Sequence, residues 1–164
     1  MDEPVKLGKS VSASRTEMAV LMLPQDANPY GSIHGGVILK NIDAAAAMAA
    51  MRHCRGNAVT VAIDSVSFLA PSRVGELVTF KASVNHVGRT SMEIGVRVES
   101  ENLFSGEVRH TASAYLTFVA LGTDGRPTPA IPLVPDTDED RLRQTAALER
   151  RAARAGTCSE SRDG

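Results

Sequence analysis

The sequence predicts an α+β domain in which a single antiparallel sheet lies against one long, buried helix. Three observations predict it. The body of the chain holds one long helical pattern, Gly35 to Arg52, crowded with alanine. Four later segments alternate apolar and polar residues with a period of two, the mark of half-buried strands. Glycine, proline or asparagine bounds each of those segments, so successive strands join by short turns and pair antiparallel.

The elements follow in order. Residues 1–12 are polar and charged, with Pro4 and Gly8, and are expected to be disordered. Thr16 to Leu23 is a short apolar strand stopped by Pro24. Pro24 to Ser32 is dense in turn formers and reads as a loop. In the helix, Ala44, Ala45, Ala46, Ala47, Ala49 and Ala50 have the highest helix propensity, and Val37, Ile38, Ile42 and Met48 add bulk. Arg52 and His53 suit its carboxyl end, and Gly56 follows. Alanines on several faces imply close packing all round. The strands are Ala58 to Leu69, Glu76 to Val87, a run through Met92, Ile94, Val96 and Val98, and Thr111 to Leu121. Their inward sets are Val78, Phe80, Ala82 and Val84, then Met92 to Val98, then Ala112, Ala114, Leu116 and Phe118. The main domain is thus expected over residues 13–125, followed by a proline-rich connector and a helix over 126–155 and a disordered tail over 156–164. That helix, Asp136 to Ala155, opens on acids and closes on Arg150, Arg151 and Arg154, a charge order that suits its dipole. One face of the sheet stays uncovered in a monomer, so at least a dimer is expected.

Composition removes several classes. A formal net charge of -1 supplies no field for nucleic acid. The longest apolar stretch, Ala44 to Met51, is far shorter than the ~20 residues of a membrane span. Met1 to Ser10 has no apolar core of a signal peptide, so a cytoplasmic location is expected. Cys54 and Cys158 read as free thiols, and no group except His53 stands near to activate Cys54. His34, His53, His86 and His110 are scattered, so no metal site is expected.

The stretch from Asp26 to Asp43 runs Asp-Ala-Asn-Pro-Tyr-Gly-Ser-Ile-His-Gly-Gly-Val-Ile-Leu-Lys-Asn-Ile-Asp. An asparagine, a glycine, a Gly-Gly pair opening the helix and an aspartate inside it resemble the signature of the cytosolic acyl-CoA thioester hydrolase family, which includes the brain acyl-CoA hydrolases and bacterial single-hotdog relatives. Val59 to Phe68, Pro71 with Val74-Gly75-Glu76, Val87 to Met92 and Thr117 to Ala120 resemble later parts of that family in the same order, so the likeness covers about residues 15 to 121. The resemblance implies a hotdog fold, a curved antiparallel sheet wrapped around one long helix, here with a C-terminal helix added. It implies hydrolysis of acyl-CoA to a free carboxylic acid and CoA, with no cofactor because CoA is part of the substrate. It implies a homo-oligomer, a dimer at least and often a trimer of dimers. By position, Asn28 and Asp43 match the family's catalytic asparagine and aspartate, which meet across a subunit interface.

The chemistry of the residues agrees. Gly35 and Gly36 begin the helix, where unpaired amides and a positive dipole end favour a developing oxyanion. Glycine also lets a thioester approach the backbone. Asp43 lies seven positions after Gly36, about two turns on, sharing a face with Gly36, Lys40 and Ala47. It is a lone acid among alanines, read either as a general base or nucleophile or as a solvated residue. Asn28 either positions water or substrate or makes an Asx turn before Pro29. Thr60 is read near the reaction centre or as strand packing, and His34 as part of the oxyanion pocket or as a cap. Gly88, Arg89, Thr90 and Ser91 are candidate CoA contacts, with a solvated turn arginine the alternative for Arg89. The terminal helix is read as solvated or subunit-packing, or as a source of arginines for a CoA phosphate.

Two rival functions remain at this stage. A hotdog enoyl-CoA hydratase uses an Asp-x-Asn-Pro-x-His loop, but Gly31 stands at the histidine position. A non-catalytic acyl-CoA sensor of the transcriptional kind carries a basic helix-turn-helix, and nothing basic and helical precedes residue 15.

Overall fold

A computed structural model describes residues 7–160. Its strands and helices are β1 (Lys9–Ser10), β2 (Thr16–Leu21), α1 (Gly35–Cys54), β3 (Asn57–Phe68), β4 (Leu77–Val87), β5 (Ser91–Glu101), β6 (Val108–Leu121), β7 (Leu133–Val134) and α2 (Asp138–Glu160), with one turn of 3₁₀ helix at Pro24–Asp26. Five strands form one antiparallel sheet in the order β2-β4-β5-β6-β3. The sheet curls around α1, which touches all five strands. This is the hotdog arrangement that the resemblance implied.

The core forms where two periodicities meet. Ile38, Ile42, Ala45, Ala46, Ala49, Ala50 and His53 recur every three or four residues and make the buried stripe of α1. Every inward residue expected on β4, β5 and β6, from Val78 to Phe118, is buried against that stripe. Alanine on the helix lets the sheet approach closely, while Phe80 and Phe118 fill the space beside it.

Four expectations change. Residues 7–12 are not a disordered tail: β1 pairs in parallel with β7, Lys9 against Leu133 and Ser10 against Val134, so the connector is tied down too. Residues 1–6 lie outside the described residues. The terminal helix runs to Glu160, through residues 156–160 where a disordered tail was expected, while residues 161–164 lie outside the described residues. Packing is not tight all round α1, because Ala44, Met48 and Met51 are exposed. Finally, the outer face of the sheet is not bare.

That last change comes from α2. Thr137 caps it, its Oγ1 accepting from the Asp140 amide at 3.1 Å while the Asp140 carboxylate accepts from the amides of Thr137 and Asp136. The helix then crosses the outer face of β4 and beyond, burying Ala147. Arg150 donates to the Glu93 carboxylate at 2.6 and 3.2 Å and stacks 3.7 Å above the Tyr115 ring. Arg154 pairs with Asp64 at 2.5 Å. Glu93 is only 4% exposed, so this is a lock rather than a solvated surface. The solvated reading of the terminal helix therefore fails, and Arg150 and Arg154 are committed to acids of their own chain.

Candidate active site

The loop before α1 sets the site. Asn28 organises it: Oδ1 accepts from the amides of Tyr30 and Ser32 at 2.9 and 3.3 Å, and Nδ2 donates to Ser32 Oγ at 2.9 Å. The Asx-turn alternative is thus the geometry present. A carboxamide has two N–H donors, so one remains for a water or a substrate. The His34 amide donates to Asp26 O at 2.9 Å and the Ile33 amide to Ser72 O at 2.8 Å, which pins the chain as it enters the helix.

His34 caps α1. Its Nδ1 accepts from the Gly36 amide at 3.1 Å, so the tautomer carries its proton on Nε2. The expectation that both glycine amides lie open is corrected: Gly36 is engaged by the cap, and Gly35 keeps the free amide. Gly35 is exposed, and a Cβ there would stand 3.6 Å from the Phe68 ring at the far end of β3. Beside it lies a hollow of about 410 Å³ lined by Ile33, Ile38, Phe68, Leu69 and Ala112, with Ser72 and Thr111 on its wall. A free amide at a positive helix end, next to an apolar hollow, suits a carbonyl oxygen gaining charge with a hydrocarbon chain attached.

Asp43 sits on the partly covered side of α1, and Thr60 Oγ1 donates to its Oδ1 at 2.8 Å. Thr60 is therefore a partner of the acid rather than strand packing. The pair stands at the start of β3, whose backbone bulges between Thr60 and Ala62. Seven residues of helix separate Gly36 from Asp43, about 10 Å of rise. Within one chain, then, the acid and the Gly35 amide do not meet.

The remaining candidates lie on the β4–β5 turn. The Gly88 amide donates to Ser91 O at 2.8 Å, closing the turn, and Arg89 is exposed on it. Ser91 pairs with Val119, and Val119 with Val59, so the turn and the Asp43–Thr60 pair share one end of the sheet. A larger hollow, about 600 Å³, lies between α2 and the outer sheet face, remote from these groups. Its cations Arg15, Lys81, Arg97, Arg143 and Arg150 are each paired with a carboxylate, so it lacks unspent charge.

Sequence reasoning missed two acids, the buried Glu93 and the half-buried Asp64. Both sit on outward positions of strands, and three arginines at the end of a helix, with Glu149 the single acid beside them, were the available signal. No cluster able to hold a metal occurs among the described residues, and none of their helices is long and apolar enough to cross a membrane.

Comparison with known proteins adds a family context. Residues 30–103 match the family model described as the thioesterase superfamily. An uncharacterized acyl-CoA thioester hydrolase of Bacillus subtilis is 38% identical over 145 residues, spanning 88% of this chain and 81% of its own. The acyl-CoA hydrolase of Staphylococcus aureus, solved with butyryl-CoA and CoA, superposes with a TM-score of 0.88 at 33% identity, over 96% of each chain. It is also solved as variants in which an aspartate, an asparagine and a threonine are each replaced by alanine. A hexameric acyl-CoA thioesterase in its apo form superposes with a TM-score of 0.89 at 40% identity, over 92% of this chain and 97% of its own.

Proposed function

The chain belongs to the acyl-CoA thioester hydrolases of the thioesterase superfamily, and from that premise we propose that it cleaves acyl-CoA to a carboxylic acid and CoA at a site built by two copies. One observation carries the two-copy reading. The acid pair, Asp43 with Thr60, stands at the start of β3, and the free Gly35 amide stands beside Phe68 at its end. β3 is an edge strand whose Val59, Val61 and Ile63 are exposed, beside Met48 and Met51 of α1. Such an edge calls for a partner. If two β3 strands pair antiparallel about Asp64, Thr60 of one copy faces Phe68 of the other. Asp43 of one copy then reaches the Gly35 amide of its neighbour.

In that site the thioester oxygen takes the Gly35 N–H, and the acyl chain enters the hollow past Ile33 and Ile38. Asp43 removes a proton from water as the water oxygen bonds to the carbonyl carbon. The C–S bond then breaks, and the CoA sulfur leaves with that proton. In the nucleophilic variant the carboxylate itself attacks, CoA leaves, and water hydrolyses the resulting anhydride. Oxygen-18 from labelled water enters Asp43 in a single turnover only in the second case. The second N–H of Asn28 holds the water or the thioester, while Thr60 fixes the carboxylate. Gly88, Arg89, Thr90 and Ser91 meet the CoA moiety. No cofactor or metal is required.

The same reading makes the protein a cytoplasmic homo-oligomer, a dimer at least and in full a trimer of dimers, with no nucleic-acid or membrane partner. The hexameric relative supports the higher assembly. The test is thiol release over a panel of acyl-CoAs by wild type, Asp43→Ala and Asn28→Ala. Wild type releases thiol, and both variants stay folded and lose most turnover. Full activity in Asp43→Ala ends the mechanism, and loss of enone absorbance from crotonyl-CoA without thiol release turns the reading to a hydratase.

A further inference from the structure

The basic residues of α2 are not alike. Arg141 pairs with Asp138 at 2.7 Å, Arg143 with Glu139 at 2.5 Å, Arg150 with Glu93 at 2.6 Å and Arg154 with Asp64 at 2.5 Å. Arg151 has no acid among the described residues. Its Nη1 instead lies 3.2 Å from His86 Nε2. An arginine can only donate, so His86 accepts there and is neutral. Burial first, then the Arg151 charge itself, hold the His86 pKa below its ordinary value, against a smaller opposing pull from Glu93. The neighbouring imidazole thus leaves the Arg151 charge uncompensated.

Arg151 lies directly on the β4–β5 turn. A Cβ on Gly88 would come within 2.5 Å of its Nη1, so the bare glycine is what lets the guanidinium rest there. The next residue, Arg89, is exposed and also has no acidic partner among the described residues. Its carbonyl accepts from the Ala130 amide at 2.9 Å, which fixes the turn in place. The same end of the molecule carries Lys9, Arg52 and Arg55, near enough that the two arginines help lower the Lys9 pKa, after burial. Two strand spacings separate Ser91 from Val59, about 10 Å, so this cationic corner lies one arm's length from the Asp43–Thr60 pair.

We propose that Arg151, reaching over Gly88 to stand beside Arg89, binds the phosphate groups at the nucleotide end of a CoA thioester. A planar guanidinium matches phosphate oxygens in a way an ammonium does not. The proposal rests on the thioesterase reading for the identity of the ligand, but not for its test. It also sorts the terminal arginines: Arg150 and Arg154 hold α2 to the sheet so that Arg151 is delivered to the turn.

The test is calorimetric binding of free CoA, dephospho-CoA and pantetheine to the full chain, as wild type, Arg151→Gln and Arg151→Lys. Arg141→Gln, which loses an exposed pair elsewhere on α2, is the control. CoA affinity is expected to fall about tenfold in Arg151→Gln, to recover in part in Arg151→Lys, and to hold in the control. Pantetheine, which has no phosphate, should bind both proteins equally. A loss retained with dephospho-CoA assigns Arg151 to the diphosphate, and a loss that vanishes assigns it to the 3′-phosphate; both support the proposal. CoA affinity within twofold of wild type overturns it. So does an equal loss toward pantetheine, which would make Arg151 a structural residue only. A wild type that shows this arginine-dependent CoA binding yet releases no thiol supports the proposal while refuting the thioesterase reading.

Discussion

Thr60→Val isolates the hydroxyl that, in the proposed mechanism, holds the Asp43 carboxylate in place. Valine keeps the β-branched shape of threonine, so strand β3 and its bulge are preserved while one donor is removed. That donor makes a 2.8 Å hydrogen bond to Asp43 Oδ1. A hydrogen bond to a charged group contributes about 1.5–3 kcal/mol. Asp43 is only partly covered in the single chain, so water replaces some of that contact, and the lower end applies. A loss of about 1.5–2 kcal/mol from the transition state slows turnover about 10- to 30-fold. In the proposed reaction the carboxylate works at the reacting centre, on the water or on the carbonyl carbon, rather than on the CoA handle, so the loss should fall on kcat and leave KM within about threefold. Thr60→Ser, which keeps the donor, should stay within about threefold of wild type. Thiol release under saturating acyl-CoA measures all three proteins. Turnover in Thr60→Val within twofold of wild type, or a serine variant as slow as the valine one, refutes the idea that this hydroxyl positions the acid.

Other consequences concern stability. Arg150→Ala strands the Glu93 carboxylate with Asn85 Nδ2 at 3.2 Å as its remaining donor, and also uncovers Tyr115. Breaking a buried pair in this way should cost about 3 kcal/mol, read by denaturant unfolding at fixed protomer concentration, whereas a loss below about 0.5 kcal/mol would make the α2 lock cosmetic. The His34→Ala variant loses the cap on Gly36 and should be about 1 kcal/mol less stable, with His34→Asn recovering most of it; equal stability of all three proteins would remove the cap from the account. His53 is fully buried between Ser14 Oγ at 3.1 Å and Ile131 O at 2.8 Å, and burial holds its pKa below the ordinary value. Its unfolded form binds the extra proton, so stability is present in full above about pH 6.5 and is lost as pH falls through the depressed value. The melting temperature should therefore drop on acidification below that pH, and His53→Gln should flatten the slope; an unchanged slope would assign the acid sensitivity elsewhere.

The middle of the sheet was legible because burial enforced it. β4, β5 and β6 have neighbours on both sides and α1 beneath, so the alternate residues Val78 to Val84, Met92 to Val98 and Ala112 to Phe118 had to be apolar. β3 read as a strand too, yet its place at the edge was not visible: Val59, Val61 and Ile63 are apolar although exposed in one chain. That excess is itself the trace of a missing partner. β1 and β7 are two residues each, too short to carry any period, so Lys9–Ser10 and Leu133–Val134 passed for tail and connector. The charge order of α2 read as a match to its dipole, while its tertiary meaning depended on Glu93 and Asp64, distant in sequence. In the site, the Gly-Gly pair and Asp43 stood out by type and spacing. The His34 cap that occupies one glycine amide, and the Thr60 hydroxyl on Asp43, depend on how a loop and a strand fold back on the helix.

The shared site is tested most directly by mixing two inactive proteins. One carries Asp43→Ala and the other carries Gly35→Pro, which removes the amide donor. Each alone should be inactive. After unfolding together and refolding, half of the dimers pair one of each, and each such dimer holds one intact site and one doubly broken site. About one quarter of wild-type activity should then return. A mixture no more active than its separate parts, although mass analysis shows that mixed dimers have formed, would place acid and amide in the same chain and contradict the account.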